Sequence, residues 1–109
     1  LATVNIEVSL GVDYLIEVNV DRFPELLLPS YILTGQVKIL SLNTLVCNFD
    51  IIKSPIQNRV YLILKSINTK NIVINNQHKY VYDIIAKNDN EVYKLIDGIV
   101  TFKPTITSI

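Results

Sequence analysis

Tryptophan is missing from this sequence, and cysteine and histidine occur once each, as Cys47 and His78. One cysteine excludes an internal disulfide and any cysteine-rich metal site. One histidine, set between Gln77 and Lys79 in a polar segment, leaves no His/Cys/Asp cluster from which a zinc site or an acid–base triad could be built. A solvated side chain is the plainer reading of His78. Glycine is scarce too: Gly11, Gly35 and Gly98 are the full set, too scattered for a phosphate-cradling loop. Cys47 lies in an alternating apolar segment, where a free thiol reads as a small buried side chain before it reads as a nucleophile.

Charge is also thin. Charged residues make up 18% of the 109 positions, with 10 basic and 10 acidic side chains, so the net charge is zero. Lys and Arg stand singly, which gives no electrostatic footprint for nucleic acid or an anionic membrane. The longest aliphatic runs are short, as in Leu26-Leu27-Leu28, so no segment is expected to span a bilayer. The chain begins at Leu1 without the charged start and apolar core of a signal peptide. Neither a cofactor nor a metal is expected. What the sequence does have is apolar residue, 50% of it. That suffices for one core in a single domain spanning residues 1–109.

The apolar residues recur with period two. Val4, Ile6, Val8 and Leu10 alternate with Asn5, Glu7 and Ser9, which predicts a first strand over Thr3 to Leu10. After Gly11, Tyr14, Ile16, Val18 and Val20 alternate with Leu15, Glu17 and Asn19. Asp21 to Glu25 reads as a turn or loop, with a further break at Pro29-Ser30. A third strand is expected over Tyr31 to Leu40, and a fourth through Leu45, Cys47, Phe49 and Ile51, ended by Ser54-Pro55. Val60, Leu62 and Leu64 mark a fifth. Ser66 to Asn71 reads as a connection with room for a short helical turn, and Ile72 to Ile74 as a short strand or a plug in the core. Tyr80 to Ala86 and Glu91 to Lys103 flank Lys87-Asn88-Asp89-Asn90, a polar insert suited to a hairpin turn. About seven short strands at this spacing predict an all-β fold, an antiparallel immunoglobulin-like β-sandwich, with a small barrel as the alternative.

Few side chains offer chemistry. Asp97-Gly98 sits inside "YKLIDGIVTFKP", where three readings compete: a working carboxylate, a hairpin corner, or a bend in one long strand. The preceding Asn88-Asp89-Asn90 already supplies a turn. Glycine within a strand marks a bulge or a close backbone approach, so a bend at Gly98 in a single last strand is the preferred reading. Asp89 and Glu91 fall in a turn and carry no calcium-loop pattern. No catalytic, cofactor-binding or metal residue is assigned, and an enzyme is not expected. Tyr80 and Tyr82 share a face, as do Tyr14 and Ile16, which favours packing over a ligand platform. Either Tyr80 or Tyr82 suits a tyrosine corner, its hydroxyl bonded to upstream backbone. Tyr82, Gly98 and Pro104 are thus structural candidates.

Four stretches together resemble a family of small immunoglobulin-like structural proteins in the virions of tailed bacteriophages. They are "IEVSLGVDY" (Ile6 to Tyr14), Leu28-Pro29-Ser30-Tyr31, "YVYDI" (Tyr80 to Ile84) and "LIDGIVTFKPTIT" (Leu95 to Thr107). The second keeps the ends of the family's Leu-Thr-Gly-Tyr step and loses its glycine. From Leu40 to Lys79 the likeness is in strand pattern alone. The resemblance implies a non-enzymatic module in the virion, attached to the capsid as decoration or to the neck or tail, with other virion proteins as partners and homo-oligomers allowed. A carbohydrate- or receptor-binding sandwich is the alternative. Beyond Pro104, which cannot donate to a ladder, Ile106 and Ile109 would lie on a partner or close the chain's own sandwich.

Overall fold

The computed structural model describes residues 2–107, in nine strands and little else. The strands are β1 (Ala2–Thr3), β2 (Ile6–Ser9), β3 (Tyr14–Asn19), β4 (Ile32–Ile39), β5 (Thr44–Asn48), β6 (Asp50–Ser54), β7 (Arg59–Leu64), β8 (Tyr80–Lys87) and β9 (Val92–Lys103). A 3₁₀ turn, Pro24–Leu27, follows β3, and one helical turn, α1 (Ser66–Thr69), follows β7. Two sheets face each other. The larger runs β1-β9-β8-β4-β5, with β2 also on β9; the smaller runs β3-β7-β6. In this order β3, β7 and β6 take the places of strands B, E and D of an immunoglobulin sandwich. β4, β8 and β9 take those of C, F and G. The fold is an immunoglobulin-like β-sandwich, and its first strand joins its last rather than β3.

Alternation builds the core. Val60, Leu62 and Leu64 of β7 are wholly buried, as are Val8, Val37 and Ile84 of the opposing sheet. Gly35 makes room among them. A Cβ there would stand 2.3 Å from Ile84 Cδ1 and 3.0 Å from the Phe49 ring, so the missing side chain is the space these two occupy.

The strand count exceeds the expected seven because two expected strands are each split. The first is interrupted at Val4-Asn5, leaving Val4 exposed. There the chain spends its backbone groups on partners outside β1 and β2. Val4 N–H donates to the Asp97 carbonyl at 2.7 Å, and Val4 C=O accepts from Tyr82 Oη at 2.6 Å. The expected fourth strand changes sheets at Phe49, whose N–H holds the Gly35 carbonyl at 2.9 Å as the chain crosses. A bulge in the β4–β5 pairing also turns Leu45 to solvent, off the face of Cys47. Ile72 and Ile74 form no strand; they pack, half-buried, against the core.

β9 is one strand of 12 residues, with no reversal at Asp97-Gly98. The irregularity is not at Gly98, however. It falls where Ile84 and Ile85 of β8 oppose Ile96 and Lys94, so Leu95 is the extra residue, and both Leu95 and Ile96 turn into the core. Gly98 instead marks a close approach of backbone: a Cβ on it would sit 2.0 Å from the Val4 carbonyl oxygen.

Candidate functional site

The strand register assembles an ordered array of polar groups on the outer face of the larger sheet. Asn48 lies opposite Gln36, Gln36 opposite Asp83, Asp83 opposite Asp97, and Asp97 opposite Thr3. One row of polar side chains therefore crosses β5, β4, β8, β9 and β1. The next row is mostly apolar. Leu45, Lys38, Val81 and Ile99 are successive partners, and Asn5 closes the row by accepting the Ile99 N–H at 3.0 Å. A shallow, open groove of about 590 Å³ lies over these two bands.

Asp83 and Asp97 are like charges directly opposed across a strand pair, an arrangement that destabilises unless it is answered. Lys94 answers it. Its Nζ lies 3.8 Å from Asp83 Oδ2 and 3.6 Å from Asp97 Oδ2, while Thr3 Oγ1 donates to Asp97 Oδ1 at 2.8 Å. The position a cation would take between the carboxylates thus holds an ammonium. Among the described residues no three His, Cys, Asp or Glu side chains converge as a metal-holding group. Asp97 is a member of an ion-paired row, held by residues brought from β1 and β9.

The other residues singled out by sequence are dispersed. His78 is half-buried, with its ring edge-on to Tyr80 at 6.3 Å between centroids. Cys47 is buried, which pushes its thiol up to about 11. Both corner candidates bond upstream backbone, and Tyr80 does so locally: its hydroxyl accepts the N–H of Asn75, five positions back, at 3.3 Å. Tyr82 instead ties the last hairpin to the N-terminal segment, and burial pushes its phenol up to about 12. Tyr14 and Ile16 do share an inward face, each half-buried. Pro104 follows the end of β9. Beyond it Thr105 Oγ1 donates to the Leu10 carbonyl at 2.6 Å, so the tail begins by closing its own sandwich, while Ile106 is fully exposed. Ile109 lies outside the described residues.

A second polar cluster sits at the β8–β9 turn. Asn88 Oδ1 accepts the N–H groups of Asn90 and Glu91, which shapes the turn as the Asn-rich insert predicts. Glu91 Oε2 then accepts from Tyr93 Oη at 2.5 Å and from Tyr31 Oη at 2.7 Å, and the two rings stack at 6.2 Å. These hydroxyls hold the Glu91 carboxyl below its usual range, and the carboxylate in turn raises both phenols. Glu91 lies in the turn that the sequence predicts, but its carboxylate is engaged by two phenols. The clasp needs Tyr31, 60 positions away, and no local pattern announces it.

No family model matches the chain, and no curated protein matches it. Among solved structures the chain is similar to the N-terminal Ig1-2 module of the Drosophila receptor protein tyrosine phosphatase DLAR, at 12% identity and a TM-score of 0.44. That match covers 96% of this chain and 47% of the other, so the chain spans about half the length of the structure it matches.

Proposed function

We propose that this chain is a non-enzymatic structural module of a tailed-phage virion, seated on the capsid or on the neck or tail. The observation that carries the reading is the banded outer face of the larger sheet: broad, open and ion-paired within itself. An enclosed cleft concentrates chemistry, whereas a wide, shallow face with alternating polar and apolar rows suits docking on another protein. The two C-terminal stretches that resemble the phage family, Tyr80 to Ile84 and Leu95 to Thr107, supply the centre of that face through β8 and β9. Repeated copies on a repeating shell would turn modest contacts into lasting attachment. The test is a reconstruction of intact particles in which the protein occupies fixed sites in stoichiometric number. Val81→Glu with Ile99→Lys, an opposite-charge cross-strand pair placed on the apolar band beside Lys38, should release it from those sites while leaving the fold intact. A particle lacking the protein, or one that keeps the double variant in full occupancy, overturns the proposal.

A carbohydrate-binding reading is favoured by one feature, the groove itself. Gln36, Asn5 and Asp83 offer hydrogen-bonding groups beside the apolar Val81 and Ile99, and a pyranose presents both kinds of surface. Saturable glycan binding, lost in Gln36→Ala, would support it over the structural role.

A further inference from the structure

A sandwich of this kind has four open sheet edges, and three of them are blunted. β5 carries the bulge opposite Val37 and Lys38. The β1–β2 edge is short and broken at Val4-Asn5. On β6, Lys53 pairs with the inward-facing Val60 and sends its Nζ to the Leu28 and Tyr31 carbonyls, with Pro55 just beyond. Bulges, short edge strands, inward-pointing charges and prolines are the devices that keep sheets from adding strands. β3 has none of them. It is six regular residues without Pro, Gly or Lys, and its one charge, Glu17, is ion-paired to Arg59 of β7 at 3.0 Å. Its inward residues Tyr14, Ile16 and Val18 stay half-exposed, whereas their partners Leu64, Leu62 and Val60 are wholly buried.

We propose that β3 is the pairing edge for β3 of a second copy of this chain, in antiparallel register centred on Ile16. The ladder itself selects the register. Val20 N–H donates to the Asn58 carbonyl, extending the β3–β7 pairing by one step. By the alternation of antiparallel bonds, Tyr14, Ile16 and Val18 bond to β7, and the peptide groups of Leu15, Glu17 and Asn19 face the open side. Centring on Ile16 sets Leu15 against Glu17 of the other copy, both with outward-facing peptide groups, so four hydrogen bonds form across the two-fold axis. The inward side then runs Tyr14 on Val18, Ile16 on Ile16 and Val18 on Tyr14, an unbroken apolar stripe. Centring on Glu17 would instead oppose two carboxylates. The proposal does not depend on the virion reading, since an isologous pair is as available in free solution as on a particle.

Sedimentation equilibrium on the full chain should show a dimer that dissociates on dilution. Glu17→Pro removes an N–H that faces the open side, a position where proline is tolerated in an edge strand. It should weaken the dimer at least about tenfold, because two of the four backbone bonds are lost. Ile16→Cys should give a disulfide-linked dimer on mild oxidation, while Asn19→Cys should not, being far from its copy in this register. A protein monomeric throughout the concentration range overturns the proposal, as does a dimer that survives Glu17→Pro unweakened. If Glu17→Pro fails to fold, the two cysteine variants decide: cross-linking at position 16 alone supports the register, and any other pattern refutes it.

Discussion

Gly98 is where a single methyl group should cost most for its size. Its Cβ would meet the Val4 carbonyl oxygen at 2.0 Å and the Tyr82 ring at 3.1 Å, and backbone at that distance must move. Three hydrogen bonds converge on the segment that would be displaced: Val4 N–H to Asp97, Tyr82 Oη to Val4, and Ile99 N–H to Asn5 Oδ1. At about 1 kcal/mol net for each, their loss amounts to about 3 kcal/mol. Replacing glycine by alanine returns about 0.4–1 kcal/mol through the unfolded chain. Gly98→Ala should therefore destabilise by about 2 kcal/mol and lower Tm by roughly 10 °C. Urea unfolding followed by circular dichroism measures it. Tyr82→Phe alone should cost about 1 kcal/mol, and the pair should be less than additive because both act on the Val4 carbonyl. A Gly98→Ala protein that melts within about 2 °C of the parent would refute the argument, since the N-terminal segment would then not be held against β9.

Other outcomes follow from the same geometry. Glu91 is depressed in the folded state, so its contribution is present above the unfolded carboxyl value and is lost as pH falls through the folded one. Urea midpoints taken from pH 7 down to pH 3 should fall further for the parent than for Glu91→Gln. Lys53→Ala leaves the Leu28 and Tyr31 carbonyls without their shared donor and should cost about 1–2 kcal/mol, read from the urea midpoint. Cys47, buried and with its thiol raised to about 11, should react with a thiol reagent at pH 8 only after urea unfolds the chain. Lys94→Met leaves Asp83 and Asp97 facing each other uncompensated and should lower the midpoint in low salt more than in high salt.

The sandwich was legible because its signal is local. Ile16 opposite Glu17, or Val60 opposite Tyr61, reports an inward and an outward face from neighbouring residues alone. The sheet change at Phe49 was hidden for a physical reason: both sheets share one core, so a strand that crosses between them keeps an inward phase on either side. Cys47, Phe49 and Ile51 all still face that core after the crossing. The bulge at Leu95 was hidden because Leu95 and Ile96 are both apolar, and the glycine three positions on was the more conspicuous irregularity. Gly98 was rightly marked as special, but the partner that demands it, Val4, lies 94 positions upstream. The polar row is harder still to foresee. Gln36, Asp83 and Asp97 look like ordinary outward residues until two strand registers bring them into line.

The chain's first and last strands run side by side in the same direction, through the two register pairs of β1 and the four of β2. A pull applied between the two ends of the molecule therefore loads those pairs in shear, all at once, rather than unzipping them one after another. Such a module yields late under tension, and a partner gripping either terminus would transmit force through the fold before it could unravel it.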